Sequence, residues 1–340
     1  MRLRTDRRRI DVRRASTSLL VLAALVAGAC SGSGESQHPR TSATIASPAL
    51  EPTTDPSTRS STVGIEASVI LPPAPSHLDA APDAAEFAAA LSSAHGSIID
   101  PASPPDTAAR YGEQLQLLLR ALADQPALDE AVLAALDPEA RPTIERVIRA
   151  RQFLQARSAA DTTPSEPATQ LPAWTIVEPE PSDTLLAHYA EAEAITGIPW
   201  YWLAAIHLQE TRMGRIQGVS SAGAVGPMQF LPSTWAECCT GDPLGTRDAI
   251  IGAATYLAQS GGPVDMSAAV RQYNPNDGYV AVVTAYAENL RDLPELYRGY
   301  HAFQVFFASA AGVVRLPIGY SQPAPIDAAA YLAANPADAA

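Results

Sequence analysis

"AAIHLQETRMGR", residues 204–215, sets an acid at the end of an apolar run. Leu203, Ile206, His207 and Glu210 are spaced by three, four and seven residues, so on a helix they share one face. Gly214 follows soon after and suits a helix stop. Glu210 is thus expected on the core side of the helix and near its C-terminus. Desolvation disfavours a charged carboxyl, and the negative end of a helix dipole repels it. Both effects raise its pKa, and a glutamate that keeps its proton near neutral pH can serve as a general acid. On this stretch alone, an exposed glutamate closing a helix is the commoner occurrence.

The next segment, "SSAGAVGPMQFLPSTW" at 220–235, gives that acid company. Gly223 and Gly226 let backbone come close to a ligand. Gln229 carries both a donor and an acceptor, and Phe230 offers an apolar face suited to a sugar ring. Further on, "RQYNPND" at 271–277 places Tyr273 and Asn274 just before a proline.

Four pieces in this order resemble the lysozyme-like lytic transglycosylases, most nearly the membrane-bound lytic transglycosylase B type. They are "ETRMGR" at 210–215, "GAVGPMQFLPSTW" at 223–235, "DAIIGAATYLAQSGG" at 248–262 and "AVRQYNPNDGYVAVVTAYA" at 269–287. The resemblance covers about residues 174–300. It implies a mainly α, lysozyme-like helical domain that cleaves the glycan strands of peptidoglycan. By position, Glu210 is implied as the single catalytic acid and base. Met228 and Phe230 are implied to line the glycan groove, and Gln229 to contact the substrate. Tyr273 is implied to bond near Glu210 or the reacting sugar, and Asn274 to support the loop. The implied product is a 1,6-anhydro-muramoyl end formed without metal or organic cofactor. A hydrolase on the same glycan, or an inactive wall-binding lipoprotein, are the competing readings. The interval "AECCTGDPLGTRD", 236–248, lacks an EF-hand spacing, so no structural calcium is expected.

The chain's ends and flanks suggest export. Arg2 to Arg14 form a basic stretch, and Leu19 to Ala29 an apolar one too short to span a bilayer. "LVAGAC" then looks like a bacterial lipobox, with Cys30 as the lipidated residue and a membrane anchor as the consequence. Residues 1–29 are read as a signal peptide and 30–75, rich in Ser, Thr and Pro, as a disordered tether. Net charge is −13 over 340 residues, and every basic residue is Arg. Without residues 1–29 the balance is 16 basic against 34 acidic, or −18. No basic stripe remains there for a nucleic-acid partner.

Residues 76–157 show helical periodicity in Leu115, Leu118, Leu119 and Leu122, in Leu128, Val132 and Leu136, and in Ile144, Val147, Ile148 and Leu154. They are expected to form a small helical cap or spacer, joined by a linker at 158–173 to the domain at 174–300. Helices are expected from Ser182 to Thr196, Asp248 to Ser260, Ser267 to about Tyr273, and Gly278 to Leu290. Beyond 300, "QVFFAS" and "GVVRLPIGY" suggest a hairpin around Gly312, followed by a mobile tail. Cys238 and Cys239 are adjacent; in an oxidising compartment they can close on each other or link elsewhere.

Overall fold

A computed structural model describes residues 83–160 and 166–340. The readings of a signal peptide, of lipidation at Cys30, of a tether at 30–75 and of helix before residue 83 lie outside the described residues.

The described chain is mainly helical. It opens with α1 (Ala84–Ile99), α2 (Pro105–Ala123), α3 (Asp129–Ala135) and α4 (Arg141–Ala160). Asp83 caps α1 in a reciprocal box with Glu86. After β1 (Gln170–Leu171) and β2 (Thr175–Ile176) come α5 (Ser182–Thr196), α6 (Trp200–Thr211) and β3 (Ile216–Gln217). Then follow α7 (Pro232–Cys238), α8 (Thr246–Gln259), α9 (Met266–Tyr273), α10 (Asp277–Asp292) and α11 (Tyr297–His301). The chain closes with β4 (Val305–Ser309), β5 (Gly312–Leu316), β6 (Ile326–Asp327) and α12 (Ala328–Ala334).

The expected helices occur within two residues of their expected ends. Gly197, left-handed at φ 77°, closes α5 as its position suggests. Pro181 takes the N-cap place of α5, and the Ser182 hydroxyl turns to Asp183.

Helix α6 is not half-buried, as a single apolar face implies. Every residue from Leu203 to Thr211 is buried, including His207, Gln209 and Glu210. A helix apolar nearly all round belongs in the middle of a core. Helices α5, α8 and α10 pack around it.

The helices at 84–160 share one continuous core with the later ones. Leu91, Ile98, Leu122 and Ile148 belong to the same cluster as Leu203, Ile206, Val283 and Leu290. Asn289 of α10 donates to the Thr143 carbonyl of α4 and accepts from Arg146. Gly112 of α2 meets Gly299 of α11 so closely that a Cβ there would lie 2.2 Å from the Gly299 oxygen.

A second, smaller cluster gathers Leu171, Ile176, Val305, Phe307, Val314, Leu316 and Tyr320. Three two-stranded antiparallel sheets frame it: β1 with β6, β2 with β3, and the β4–β5 hairpin. The hairpin turns at Ala310 and Ala311, and Gly312 opens β5 opposite Ser309. Where the expected linker meets the expected tail, Leu171 pairs with Ile326, and α12 follows with its Ala328 fully buried. The alternation of apolar residues there is too short to stand out in sequence.

Candidate functional site

Glu210 lies in the last turn of the buried α6 and is itself buried. The Tyr279 hydroxyl donates to its Oε1 at 2.6 Å, while Oε2 is buried without a partner. Burial pushes the carboxyl up from 4.5 to about 8. The Tyr279 hydrogen bond and the nearby Arg212 guanidinium act the other way, and desolvation outweighs them. At pH 7 the group is therefore mostly protonated. Tyr279 keeps its own proton too, because burial pushes its phenol well above the ordinary value. With Oε1 accepting from that phenol, the carboxyl proton belongs on Oε2. The site is thus a neutral acid with its proton on the oxygen that has no protein partner.

The turn after α6 is unusual. Arg212, Met213 and Gly214 run in the left-handed region at φ 54°, 61° and 87°. Two successive residues with side chains there are costly unless their surroundings hold them. Met213 is buried, and its N–H donates to the His207 carbonyl. The Arg212 guanidinium donates to the Leu208 carbonyl. Thr211 ties the turn to the next loop: its hydroxyl donates to the Pro227 carbonyl at 2.6 Å and accepts from the Gly214 N–H at 3.0 Å. His207, one turn before Glu210, is a core residue. Its Nδ1 bonds the Tyr189 hydroxyl, and burial lowers its pKa to about 3.

The loop at 223–230 approaches from the side. Gly226, at φ 75°, leaves no room for a Cβ, which would lie 1.9 Å from the Pro243 oxygen. Gln229 is itself left-handed at φ 50°. Its amide nitrogen donates to the carbonyls of Gly226 and Gly218 at 2.9 and 3.5 Å. Its two amide hydrogens thus serve backbone carbonyls, one within the loop and one just before it.

The side chains of Met228 and Phe230 do not line an open groove. Met228 is fully buried. Phe230 is the centre of an aromatic cluster, edge-on to Trp235 at 5.1 Å, to Tyr273 at 5.6 Å and to Tyr256 at 6.3 Å. Burial of apolar area claims both side chains, a competing use that composition cannot distinguish from sugar contact. Tyr273 donates to the Met228 carbonyl at 2.5 Å and not to Glu210. Asn274 is buried, and its Oδ1 accepts from the Asn276 N–H, while Asn276 caps α10. That cap sets the first turn of α10, and so sets Tyr279.

Tyr279 is the residue that sequence reading missed. The only signal was a tyrosine in the first turn of a helix that follows "YNPN". Among the described residues, no three His, Cys, Asp or Glu converge as a metal site requires. Cys238 and Cys239 form a disulfide with each other.

No family model matches the chain, and no solved structure matches it. A stretch of 80 residues, 24% of the chain, is 36% identical to a curated protein of Thiobacillus denitrificans, the membrane-bound lytic murein transglycosylase F. The chain spans 17% of that relative's length, so the likeness is to one part of it.

Proposed function

We propose that the chain is a peptidoglycan lytic transglycosylase, cutting the β-1,4 bond between N-acetylmuramic acid and N-acetylglucosamine. The observation that carries this reading is the buried, neutral Glu210 with its unpartnered Oε2. The partial likeness to a murein transglycosylase and the four motifs support the substrate. In this reading Glu210 protonates the bridging oxygen. The Tyr279 hydrogen bond strengthens as the carboxylate forms, because a charged acceptor binds a donor more tightly. Glu210 then takes the proton of the muramoyl 6-hydroxyl, which attacks its own anomeric carbon. The N-acetyl group of the same sugar stabilises the charge between the two steps. Two-carboxylate glycosidases place a second acid across the bond. The groups that shift the Glu210 carboxyl against its burial are the Tyr279 phenol and the Arg212 guanidinium, and in this reading one carboxyl does both jobs.

Digestion of purified peptidoglycan, followed by mass analysis of the muramoyl ends, tests this. Ends lighter by one water are expected from the wild type and none from Glu210→Gln. Ends that retain that water would make the protein a hydrolase. A type B assignment and anchoring through a lipid on Cys30, at the outer face of the membrane, belong to the same proposal. Cys30→Ser should then release the protein from washed membranes.

A further inference from the structure

The adjacent cysteines have no part in the reaction, yet they sit where the loop beside Glu210 is braced. Helix α7 begins three residues after Gln229 and ends at Cys238. Cys239 is extended, with its N–H donating to the Trp235 carbonyl. The chain then runs through Gly241, whose carbonyl accepts from the Trp235 indole at 3.3 Å. It reaches Pro243, whose carbonyl presses on Gly226 too closely for any side chain. Gly226 in turn accepts from Gln229, and neighbouring Pro227 accepts from Thr211, next to Glu210. The bond between Cys238 and Cys239 therefore fixes the point where the chain leaves α7 to support the Gly226–Gln229 turn.

A disulfide between adjacent residues closes the shortest loop a chain can close. It removes little entropy from the unfolded state, so it adds little to global stability. Its effect is local. Both cysteines are only half-buried, which leaves the bond within reach of a thiol. Reduced, Cys238 and Cys239 are no longer joined outside the backbone, and the chain leaving α7 is held there only by its hydrogen bonds to Trp235.

We propose that the Cys238–Cys239 disulfide is a redox-sensitive clamp on the loop beside Glu210, opened by a dithiol. The dithiol gives two electrons and two protons. The bond between the two sulfurs breaks to two thiols, and the reductant leaves as its own disulfide. The proposal rests on the reading of Glu210 as the active acid.

The test uses the full chain carrying Cys30→Ser, so that only these two cysteines remain, with dithiothreitol as the probe. Alkylation of an aliquot counts the thiols released. Amide hydrogen exchange over 223–229 and 232–245 reads the clamp, and turnover on isolated peptidoglycan reads its effect. Reduction is expected to speed exchange in both segments about tenfold and to lower turnover several-fold. Reoxidation should restore both. The further change of Cys238 and Cys239 to Ser should hold the protein at the reduced level, indifferent to dithiol. If two thiols are released and exchange over 223–229 is unmoved, or turnover stays within twofold, the proposal falls. If exchange responds while the oxidised protein cuts no glycan, the clamp stands and the catalytic reading falls.

Discussion

At pH 7 the Glu210 carboxyl keeps its proton because it has left water, and the same fact makes it a stability term. In the unfolded chain it titrates at its ordinary 4.5, and in the folded one at about 8. Below pH 4.5 both states hold the proton. Between 4.5 and 8 only the folded state does, so its contribution falls as pH rises and is gone above 8. Each pH unit in that window is worth about 1.4 kcal/mol at most. Glu210→Gln mimics the neutral form. It should lose nearly all turnover yet melt higher than wild type, with a margin that grows from pH 5 to pH 8. Melting curves at pH 5, 7 and 9 check this; parallel pH dependence in both proteins would remove the buried-acid assignment. Tyr279→Phe makes a different case. Loss of the phenol removes a contact that holds the carboxyl down, so the alkaline limb of the activity profile should move to higher pH. Turnover should fall about tenfold, since a hydrogen bond to a charged group is worth roughly 1.5–3 kcal/mol. Tyr273→Phe leaves only the Met228 carbonyl without its partner. Its profile should keep the wild-type limb, and a shifted limb would mean that the Tyr273 hydroxyl bonds Glu210 rather than the Met228 carbonyl.

Elements decide how these residues meet, and here the sequence is legible unevenly. Helices α5, α8, α9 and α10 can be read from their periodicity and stops, because 3.6-residue spacing and a left-handed glycine are local signals. The burial of α6 on all sides is not, since His207, Gln209 and Glu210 look polar until α5, α8 and α10 close round them. Glu210 could be singled out from its setting, while the tyrosine that bonds it depends on how α10 packs on α6, which no local pattern reports. The loop shows the same limit. Gly223 and Gly226 promise close approach, but the partner of Gly226 is the protein's own Pro243 carbonyl. Gly226→Ala must displace backbone and hold a side chain at φ 75°. It should cost more than about 1 kcal/mol, the scale of backbone strain at such a site. Turnover should fall with it, because Gln229 moves with its loop. A Gly226→Ala protein with wild-type melting and turnover would mean that the 240–245 segment yields freely.

For the whole molecule, the question is whether residues 84–160 are a cap on a separate domain or part of its core. Helix α10 carries Tyr279 toward Glu210 on one side. Along its length Val282, Ala285 and Tyr286 face Val147, Ile148 and Leu154 of α4 and Leu119 of α2 around one shared pocket. Gly278, next to Tyr279, lies against Leu154 with no room for a Cβ. The first helices thus back α10, the helix whose Tyr279 bonds the acid. Arg298 of α11 adds hydrogen bonds to the Asp100 and Ser103 carbonyls that follow α1. A core shared in this way should unfold as one unit. Ile148, 1% exposed in α4, is the position to test. Ile148→Ala leaves a cavity worth about 2–5 kcal/mol. In calorimetry the protein should show one transition, moved down as a whole by roughly 5 °C or more. Two independent domains would give two transitions, with only one moved and the other, carrying Glu210, left in place. Turnover measured just below the lowered transition separates the same two cases: a shared core loses activity as it melts, and a detachable cap leaves it intact.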